Sequence, residues 1–278
     1  MPEVDLQAGP IEYDDSGGDG PVLVFLHGLA MDGTLWRNVV RELRDTHRCV
    51  VPTLPLGGHR RPMRDDADLS LAGHAAIVAD LLERLDLRDV TLVQNDHGSA
   101  QVLAGARPER VARLVLSSCE AFDNFPPGLP GRMLALGAKL PGGVNAMVQP
   151  MRLRSMRHTP ATFGRMAKRR IPDEVTDAWL APMLGERAIR RDLAKYIRSV
   201  RPGELVDAAA GLAAFDRPAL VVWAAEDRVM PREHGRRLAA LLPDARHVEI
   251  DDSYTLIPED QPVAFARAIR DFVVETAA

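Results

Sequence analysis

Short apolar runs recur along the chain, and each is followed by a turn and then by a helical pattern. The runs are almost continuously apolar and rich in β-branched residues, which is typical of parallel strands covered on both faces. The predicted strands are Val22–Leu26, Cys49–Val51, Val90–Val93, Leu114–Leu116, Leu220–Trp223 and His247–Ile250. The predicted helices are Leu71–Leu85, Ser99–Ala106, Arg236–Leu242 and Ala264–Val274. Strands that alternate with helices predict an α/β fold with a doubly wound, mostly parallel sheet.

This alternation stops between about Ala121 and Leu205. The segment opens with a Pro-rich stretch at 125–130 and continues with Met-, Arg- and Ala-rich helical patterns, without a strand-like run. We therefore predict an all-helical cap of residues 121–205, inserted into a core formed by residues 1–120 and 206–278. A length of 278 residues suits one α/β core that carries such an insertion.

Charge also distinguishes the predicted cap from the core. The cap contains 15 Lys and Arg against 7 Asp and Glu, which gives +8, whereas the remainder contains 20 against 32, which gives −12. One interpretation is that the polar helix faces of the cap are solvated, the usual origin of such charge runs. The other is that a basic cap attracts anionic substrates. The net charge of −4 predicts neither nucleic acid nor a membrane surface as a partner.

The N-terminus and the cysteines indicate a cellular compartment. Residues 1–10 have neither a basic nor an apolar signal-peptide region, and no apolar stretch approaches the roughly 20 residues of a membrane helix. Cys49 and Cys119 lie far apart in apolar surroundings and are predicted to be buried free thiols, as in a reducing cytosol. We expect a soluble, cytoplasmic protein. No metal or organic cofactor motif is present, and the oligomeric state is left open.

The segment 90–100 places an aspartate between a strand and a helix. It reads V-T-L-V-Q-N-D-H-G-S-A, and Asp96 falls at the turn. A residue on such a tight turn has a strained backbone and projects its side chain above the sheet. Backbone N–H groups at the start of the helix can stabilise negative charge beside it. The alternative is that Asp96 only caps the helix, since Asp is a favoured N-cap residue.

The chain resembles the α/β-hydrolase superfamily over essentially its whole length. The resemblance rests on the order of strands, the His27-Gly28 pair after a strand, the turn at Asp96 and the helical insertion. The N-D-H-G sequence at 95–98 is similar to that of haloalkane dehalogenases and epoxide hydrolases, in which the aspartate is the nucleophile. This implies attack on carbon, an alkyl ester, and cleavage of that ester by base-activated water. It also implies an oxyanion hole formed by the backbone N–H groups of Leu29 and His97.

Three further residues are candidates for catalysis. The position of His97 is usually Trp in those families; its imidazole can donate a hydrogen bond, act as an acid or base, or only line the pocket. The resemblance places a triad acid after the seventh strand, where Asp227 lies, and a variant acid after the sixth strand, where Glu120 lies. We favour Asp227 because more of its sequence context matches.

The histidine of the triad is missing. The resemblance places it after the last strand, seven residues before a proline, and counting back from Pro262 gives Thr255, with Tyr254 at the position of the usual glycine. No histidine follows residue 247. Threonine cannot accept a proton near neutral pH, so the usual base for ester cleavage is absent. We predict that the substrate is bordered by His27, Gly28, Tyr254 and Thr255.

These features predict an enzyme that acts on a small, mostly apolar organic molecule between core and cap, with Asp96 as nucleophile or acid/base. Three outcomes are open. Another imidazole, His97 or else His59 or His74, can serve as the base. The reaction can instead be non-hydrolytic, catalysed by a lyase, isomerase or cyclase. Finally, the protein can be a non-catalytic, ligand-binding member of the superfamily, although a strained aspartate favours catalysis.

Overall fold

One eight-stranded sheet organises the computed structural model, which describes residues 1–277. The strand order is β1-β2-β4-β3-β5-β6-β7-β8; β1 and β2 run antiparallel to each other, β2 runs antiparallel to β4, and all other pairs are parallel. The strands are β1 Glu3–Leu6, β2 Gly9–Asp15, β3 Val22–Leu26, β4 Arg48–Pro52, β5 Val90–Asp96, β6 Val111–Cys119, β7 Ala219–Ala224 and β8 Ala245–Ile250. All six predicted strands, and the mostly parallel sheet, are confirmed.

Twelve α-helices occur within residues 1–277. They are α1 Arg37–Leu43, α2 Leu71–Arg84, α3 Ser99–Ala106, α4 Gly128–Ala138, α5 Gly143–Val148, α6 Arg154–Arg157, α7 Asp173–Gly185, α8 Arg187–Ser199, α9 Glu204–Leu212, α10 Arg232–Leu241, α11 Ile257–Asp260 and α12 Pro262–Glu275. The four predicted helices are present. Helix α10 begins four residues earlier than predicted because its first turn is charged, and α12 begins at Pro262, since proline is favoured at the first helical position.

Three elements before β5 were not predicted from the pattern. Strands β1 and β2 form an antiparallel hairpin at the sheet edge, where half-buried positions mix polar and apolar residues. Helix α1 buries only Val39 and Leu43, so its periodic signal is weak. Edge strands and short helices bury little apolar surface, and their sequences are therefore less patterned than those of the central elements.

Only helices and turns lie between β6 and β7 in the described chain. Helices α4–α8, which we call the inserted helices, precede α9, and α9 crosses the core helix α3 where Gly105 faces Gly211. The predicted cap boundaries at 121 and 205 stay predictions.

Large apolar side chains fill the space between the sheet and its helices. Trp36, Trp223, Phe25 and Phe265 are fully buried, and the rings of Phe25 and Trp36 lie 5.0 Å apart. Cys49 and Cys119 are buried and unpaired, as predicted. No helix among residues 1–277 is long and apolar enough to cross a membrane.

Candidate active site

Asp96 ends the central strand β5 directly before α3. Its φ is +70°, in the left-handed region that non-glycine residues rarely adopt, and the residue is buried. The His97 N–H donates to the Asn95 carbonyl oxygen at 2.9 Å, which closes the turn around Asp96. The pairing of β5 with β6 also shifts in register between Asn95 and Asp96. The strained turn expected at this position is therefore present.

The loop after β3 lies against the Asp96 carboxyl group. The Leu29 N–H donates to Asp96 Oδ2 at 3.3 Å. A Cβ atom on Gly28 would overlap the same carboxyl oxygen, so only glycine allows this close approach. Of the two N–H groups predicted for an oxyanion hole, that of Leu29 thus points at the carboxyl group, while that of His97 is used within the turn.

His27 is held by the backbone on both sides of its ring. Nδ1 bonds to the Gly28 carbonyl oxygen at 2.8 Å, and the Leu54 N–H donates to Nε2 at 2.9 Å. Burial lowers the pKa of His27 to about 4, so the ring is neutral. Neither nitrogen is free, and any contact between His27 and a substrate would be made by ring carbon atoms.

We call the strand–turn–helix at Asp96 the elbow. Three carboxyl groups near it have raised pKa values. Burial raises the pKa of Asp96 to about 7; the Leu29 N–H opposes this shift and the charge of Asp227 adds to it. Burial also raises the pKa of Asp227, against hydrogen bonds from backbone N–H groups. Burial and the charge of Asp96 raise the pKa of Glu120 well above its usual range. Burial of these neighbouring carboxyl groups thus favours their protonated forms.

Glu120 adjoins the elbow through its backbone. The Glu120 N–H donates to the Asp96 carbonyl oxygen at 3.0 Å, and Gln101 Nε2 donates to the Glu120 carbonyl oxygen at 2.6 Å. Its side-chain Oε2 is buried without a partner among residues 1–277. Glu204 Oε2 on α9 is in the same condition, and its charge contributes to the raised pKa of Glu120. Such buried, unpartnered oxygens are available to a hydrogen-bonding ligand.

Thr255 and Asp227 are brought together by the structure. Thr255 Oγ1 donates to Asp227 Oδ1 at 2.7 Å, and the same oxygen accepts the N–H groups of Val229 and Met230 at 2.9 and 2.8 Å. Asn95 Nδ2 donates to the Thr255 carbonyl oxygen at 2.8 Å, which ties this loop to the elbow. A hydroxyl group therefore bonds the acid from the position where the resemblance implies an imidazole.

Tyr254, by contrast, is packed into its own loop. Its N–H donates to Asp260 Oδ2 at 2.9 Å, and the Arg228 guanidinium lies 4.2 Å from the centre of its ring. These contacts hold the loop that carries Thr255.

A chain of hydrogen bonds runs from the elbow to the inserted helices. The Ser99 N–H donates to His97 Nδ1 at 3.3 Å, so Nε2 carries the ring proton and donates to the Tyr196 hydroxyl oxygen at 2.9 Å. Tyr196 then keeps its own hydroxyl proton for another acceptor. Burial lowers the pKa of His97 well below, and raises that of Tyr196 well above, the usual range. Both groups are therefore neutral.

The two other candidate histidines lie in different surroundings. The His74 ring is 5.4 Å from that of His97, with Nδ1 on the Ser70 carbonyl oxygen and Nε2 buried without a partner in the described chain. Burial lowers the pKa of His74 to about 4, which makes it a weak base. His59 Nε2 lies 3.4 Å from Asp192 Oδ2, at the contact of α8 with the loop before α2.

Tyr196 and Glu204 are two polar residues of this region that were not singled out from the sequence. The available signal was weak: Tyr196 shares the apolar face of an otherwise Arg-rich helix with Ile189 and Leu193. Within residues 1–277, no group of three or more His, Cys, Asp or Glu side chains is arranged to hold a metal ion.

A family model described as the alpha/beta hydrolase fold matches residues 21–262. The chain belongs to the α/β-hydrolase family. A haloalkane dehalogenase of Mesorhizobium japonicum is 25 % identical over 98 % of this α/β hydrolase and 91 % of the dehalogenase. A cis-3-alkyl-4-alkyloxetan-2-one decarboxylase of Shewanella oneidensis is 27 % identical over 93 % of this chain and 84 % of that protein.

Solved structures agree in fold. A putative ancestral haloalkane dehalogenase superposes with a TM-score of 0.80 at 22 % identity, covering 100 % of both chains. The haloalkane dehalogenase DbeA from Bradyrhizobium elkani gives 0.81 at 21 % identity, covering 99 % of this α/β hydrolase and 97 % of that chain. The predicted fold class and the resemblance to dehalogenases are thereby confirmed.

Proposed function

We propose that this α/β hydrolase uses Asp96 as a nucleophile toward a saturated carbon of a small, mostly apolar organic molecule. The carbon–oxygen bond to Asp96 forms as the bond to the leaving group breaks, and the leaving group takes the electron pair. The observation that carries the proposal is the buried Asp96 carboxyl group on a left-handed turn, aligned by the Leu29 N–H. A group used only for capping would not require this strain.

Neighbouring acids would assist departure of an oxygen leaving group. Burial and the charge of Asp96 raise the pKa of Glu120 well above its usual range, which favours its protonated form, and its Oε2 has no partner within residues 1–277. Tyr196 keeps a free hydroxyl proton because its oxygen accepts from His97. Proton donation by a positioned group of this kind contributes about 10² to 10⁴ in rate.

The resulting ester would have no efficient base to cleave it. The position of the usual imidazole holds Thr255, whose hydroxyl donates to Asp227, and burial lowers the pKa of both His97 and His74. Hydrolysis of a simple alkyl ester at Asp96 is therefore slow, and the alkylated enzyme accumulates.

Thr255 favours a second candidate reaction, the decarboxylation of a β-lactone, which the Shewanella oneidensis relative's name describes. Asp96 would attack the saturated ring carbon that is bonded to the ring oxygen. The bond between that carbon and the ring oxygen would break and release a carboxylate. The electron pair of the carbon–carboxylate bond would then form an alkene, expelling CO₂ and the Asp96 carboxylate. Atoms and electrons balance without water or a base, so this reaction does not require the missing histidine.

Intact-mass measurement separates these possibilities. The protein is incubated with an alkyl iodide, a terminal epoxide and a cis-dialkyl β-lactone, with Asp96→Asn as the matched control. We expect stable adducts from the first two reagents, absent in the control. Catalytic formation of alkene and CO₂ from the lactone, without isotope uptake from heavy-oxygen water, would support decarboxylation. Rapid turnover of the iodide to alcohol would contradict the absence of a base. If neither an adduct nor a product forms, a ligand-binding protein is favoured.

A further inference from the structure

The segment 124–172 is unusual in both charge and exposure. It contains nine Lys and Arg residues and no Asp or Glu. It also carries seven of the twelve large apolar side chains that are exposed among residues 1–277, namely Leu129, Met133, Leu136, Leu140, Met147, Leu153 and Met156. Single exposed apolar residues are common, but a concentration of them in a basic segment indicates an interaction surface.

Helix α4 aligns part of this set in one stripe. At 100° per residue, Leu129, Met133 and Leu136 fall within about 60° of one another on the helix. Together with Leu140 just beyond the helix, they are 54–72 % exposed, whereas Ala138 on the opposite side is buried. The apolar side of α4 therefore faces outward, which burial in the protein core cannot explain.

The stripe continues onto α5. A Cβ atom on Gly137 would overlap Met147 Sδ, so the exposed Met147 lies directly against the end of α4. Apolar surface thus extends over two neighbouring helices.

Basic side chains border this surface. Arg132 and Lys139 flank the stripe, and neither has an ion-pair partner within residues 1–277. A groove of about 610 Å³ between α5 and α8 adjoins it, and four arginines, Arg187, Arg190, Arg191 and Arg198, are among the residues that line it. Arg198 Nε donates to the Ala138 carbonyl oxygen at 2.6 Å, which joins the groove to the end of α4.

We propose that this face, defined by the α4–α5 apolar stripe and the arginine-lined groove, docks on an anionic membrane surface. The apolar side chains would enter the boundary between headgroups and acyl chains, and the cations would contact lipid phosphates. The charge of +8 on residues 121–205 against −12 on the remainder orients the molecule with this face toward the lipid. The expectation of no membrane partner was based on the net charge of −4, which conceals this separation.

A second copy of the chain fits the face less well. Two-fold pairing would bring each copy's Arg132, Lys139 and groove arginines close to the same positive groups of its partner. Anionic lipid supplies the opposite charge instead. The proposal does not depend on the chemistry at Asp96.

Vesicle flotation tests the docking surface. Vesicles containing about 30 % phosphatidylglycerol are compared with vesicles of phosphatidylcholine alone. We expect wild-type protein to float only with the anionic vesicles and to be released by about 0.5 M salt. Since each cation near such a surface strengthens binding about fivefold, Arg132→Gln/Lys139→Gln should lower the partition coefficient about 25-fold. Leu129→Ser/Met133→Ser/Leu136→Ser should abolish flotation.

Val263→Ser/Val274→Ser is the matched control, because both valines are exposed on α12 in the core. It should bind like the wild type. The charge variant changes only exposed side chains, so it keeps the test decisive if the serine variant fails to fold. Absence of flotation, equal binding to neutral vesicles, or binding unchanged in both variants would overturn the proposal. The proposal would also be overturned if wild type self-associates in sedimentation velocity, the serine variant does not, and wild type fails to bind vesicles.

Discussion

Replacing Thr255 with histidine should supply a base for ester cleavage at Asp96. Thr255 Oγ1 donates to Asp227 Oδ1 at 2.7 Å, so an imidazole at this position is within reach of the same carboxyl group. Asp227 would orient the ring and stabilise its protonated form, while the other nitrogen would activate water for attack on an ester at Asp96. Such a base contributes about 10² to 10⁴ in rate.

The substitution has a cost in stability that can be estimated. Thr255 is fully buried, and a larger ring in a packed position destabilises a protein by about 1–3 kcal/mol. That loss is tolerable for a domain whose unfolding free energy is about 5–15 kcal/mol. We therefore expect a folded variant with a lowered melting temperature.

Decay of the alkylated enzyme measures the effect directly. The protein is alkylated with an alkyl iodide, excess reagent is removed by gel filtration, and intact mass is followed over time. The adduct on Thr255→His should disappear about 10² to 10⁴ times faster than that on wild type. The rate should rise with pH through the pKa of the new imidazole, since only the neutral ring accepts a proton.

Two control variants separate the imidazole from other consequences of the change. Thr255→Val removes the hydroxyl without adding a base, so its ester should persist. Thr255→His/Asp227→Asn should lose most of the gain because the ring is no longer oriented. The prediction is wrong if folded Thr255→His keeps its ester as long as wild type does, or if wild type already clears its ester at the same rate as the variant.

The remaining predictions concern the elbow and its neighbours. Burial holds the folded-state pKa of Asp96 near 7, above its ordinary value of 3.8, so its contribution to stability falls as pH rises between these values. Asp96→Asn should therefore be more stable than wild type near pH 8, by up to about 4 kcal/mol, but not near pH 4, in urea unfolding. The rate at which wild type is alkylated, measured by intact mass, should fall tenfold per pH unit below about 7, because only the carboxylate attacks. Tyr196→Phe should slow alkylation by an epoxide about 10²-fold, the lower end of the effect of a positioned proton donor, and leave alkylation by an iodide unchanged. Gly28→Ala should abolish alkylation because its Cβ would displace the Asp96 carboxyl group, whereas Gly98→Ala, whose Cβ would lie 2.9 Å from Leu205 side-chain atoms, should retain it.

Elements of the core could be predicted because burial imposes a pattern on consecutive residues. Helix α3 begins and ends where predicted, and β5 extends three residues beyond its predicted end to include Asp96. The antiparallel hairpin of β1 and β2 was missed because it lies at the sheet edge, where fewer positions must be apolar.

The candidate site divides in the same way. The strand–turn–helix at Asp96 and the loop at Gly28 are local features, since a tight turn and a close approach constrain single positions. The absence of a histidine after β8 was equally visible in the sequence. The presence of Thr255 at the expected position was visible too, but its hydrogen bond to Asp227 was not, because the two residues are 28 positions apart.

From the sequence alone it followed that an aspartate lies at the turn after a central strand and that no histidine follows residue 247, because both are read from residues adjacent in the chain. The folded structure was needed to show that Tyr196 bonds to His97, 99 positions away, and that the carboxyl groups of Asp96, Glu120 and Asp227 lie in one buried region. Burial and through-space charge set the pKa values of these carboxyl groups, and both effects arise only when the chain has folded around the site.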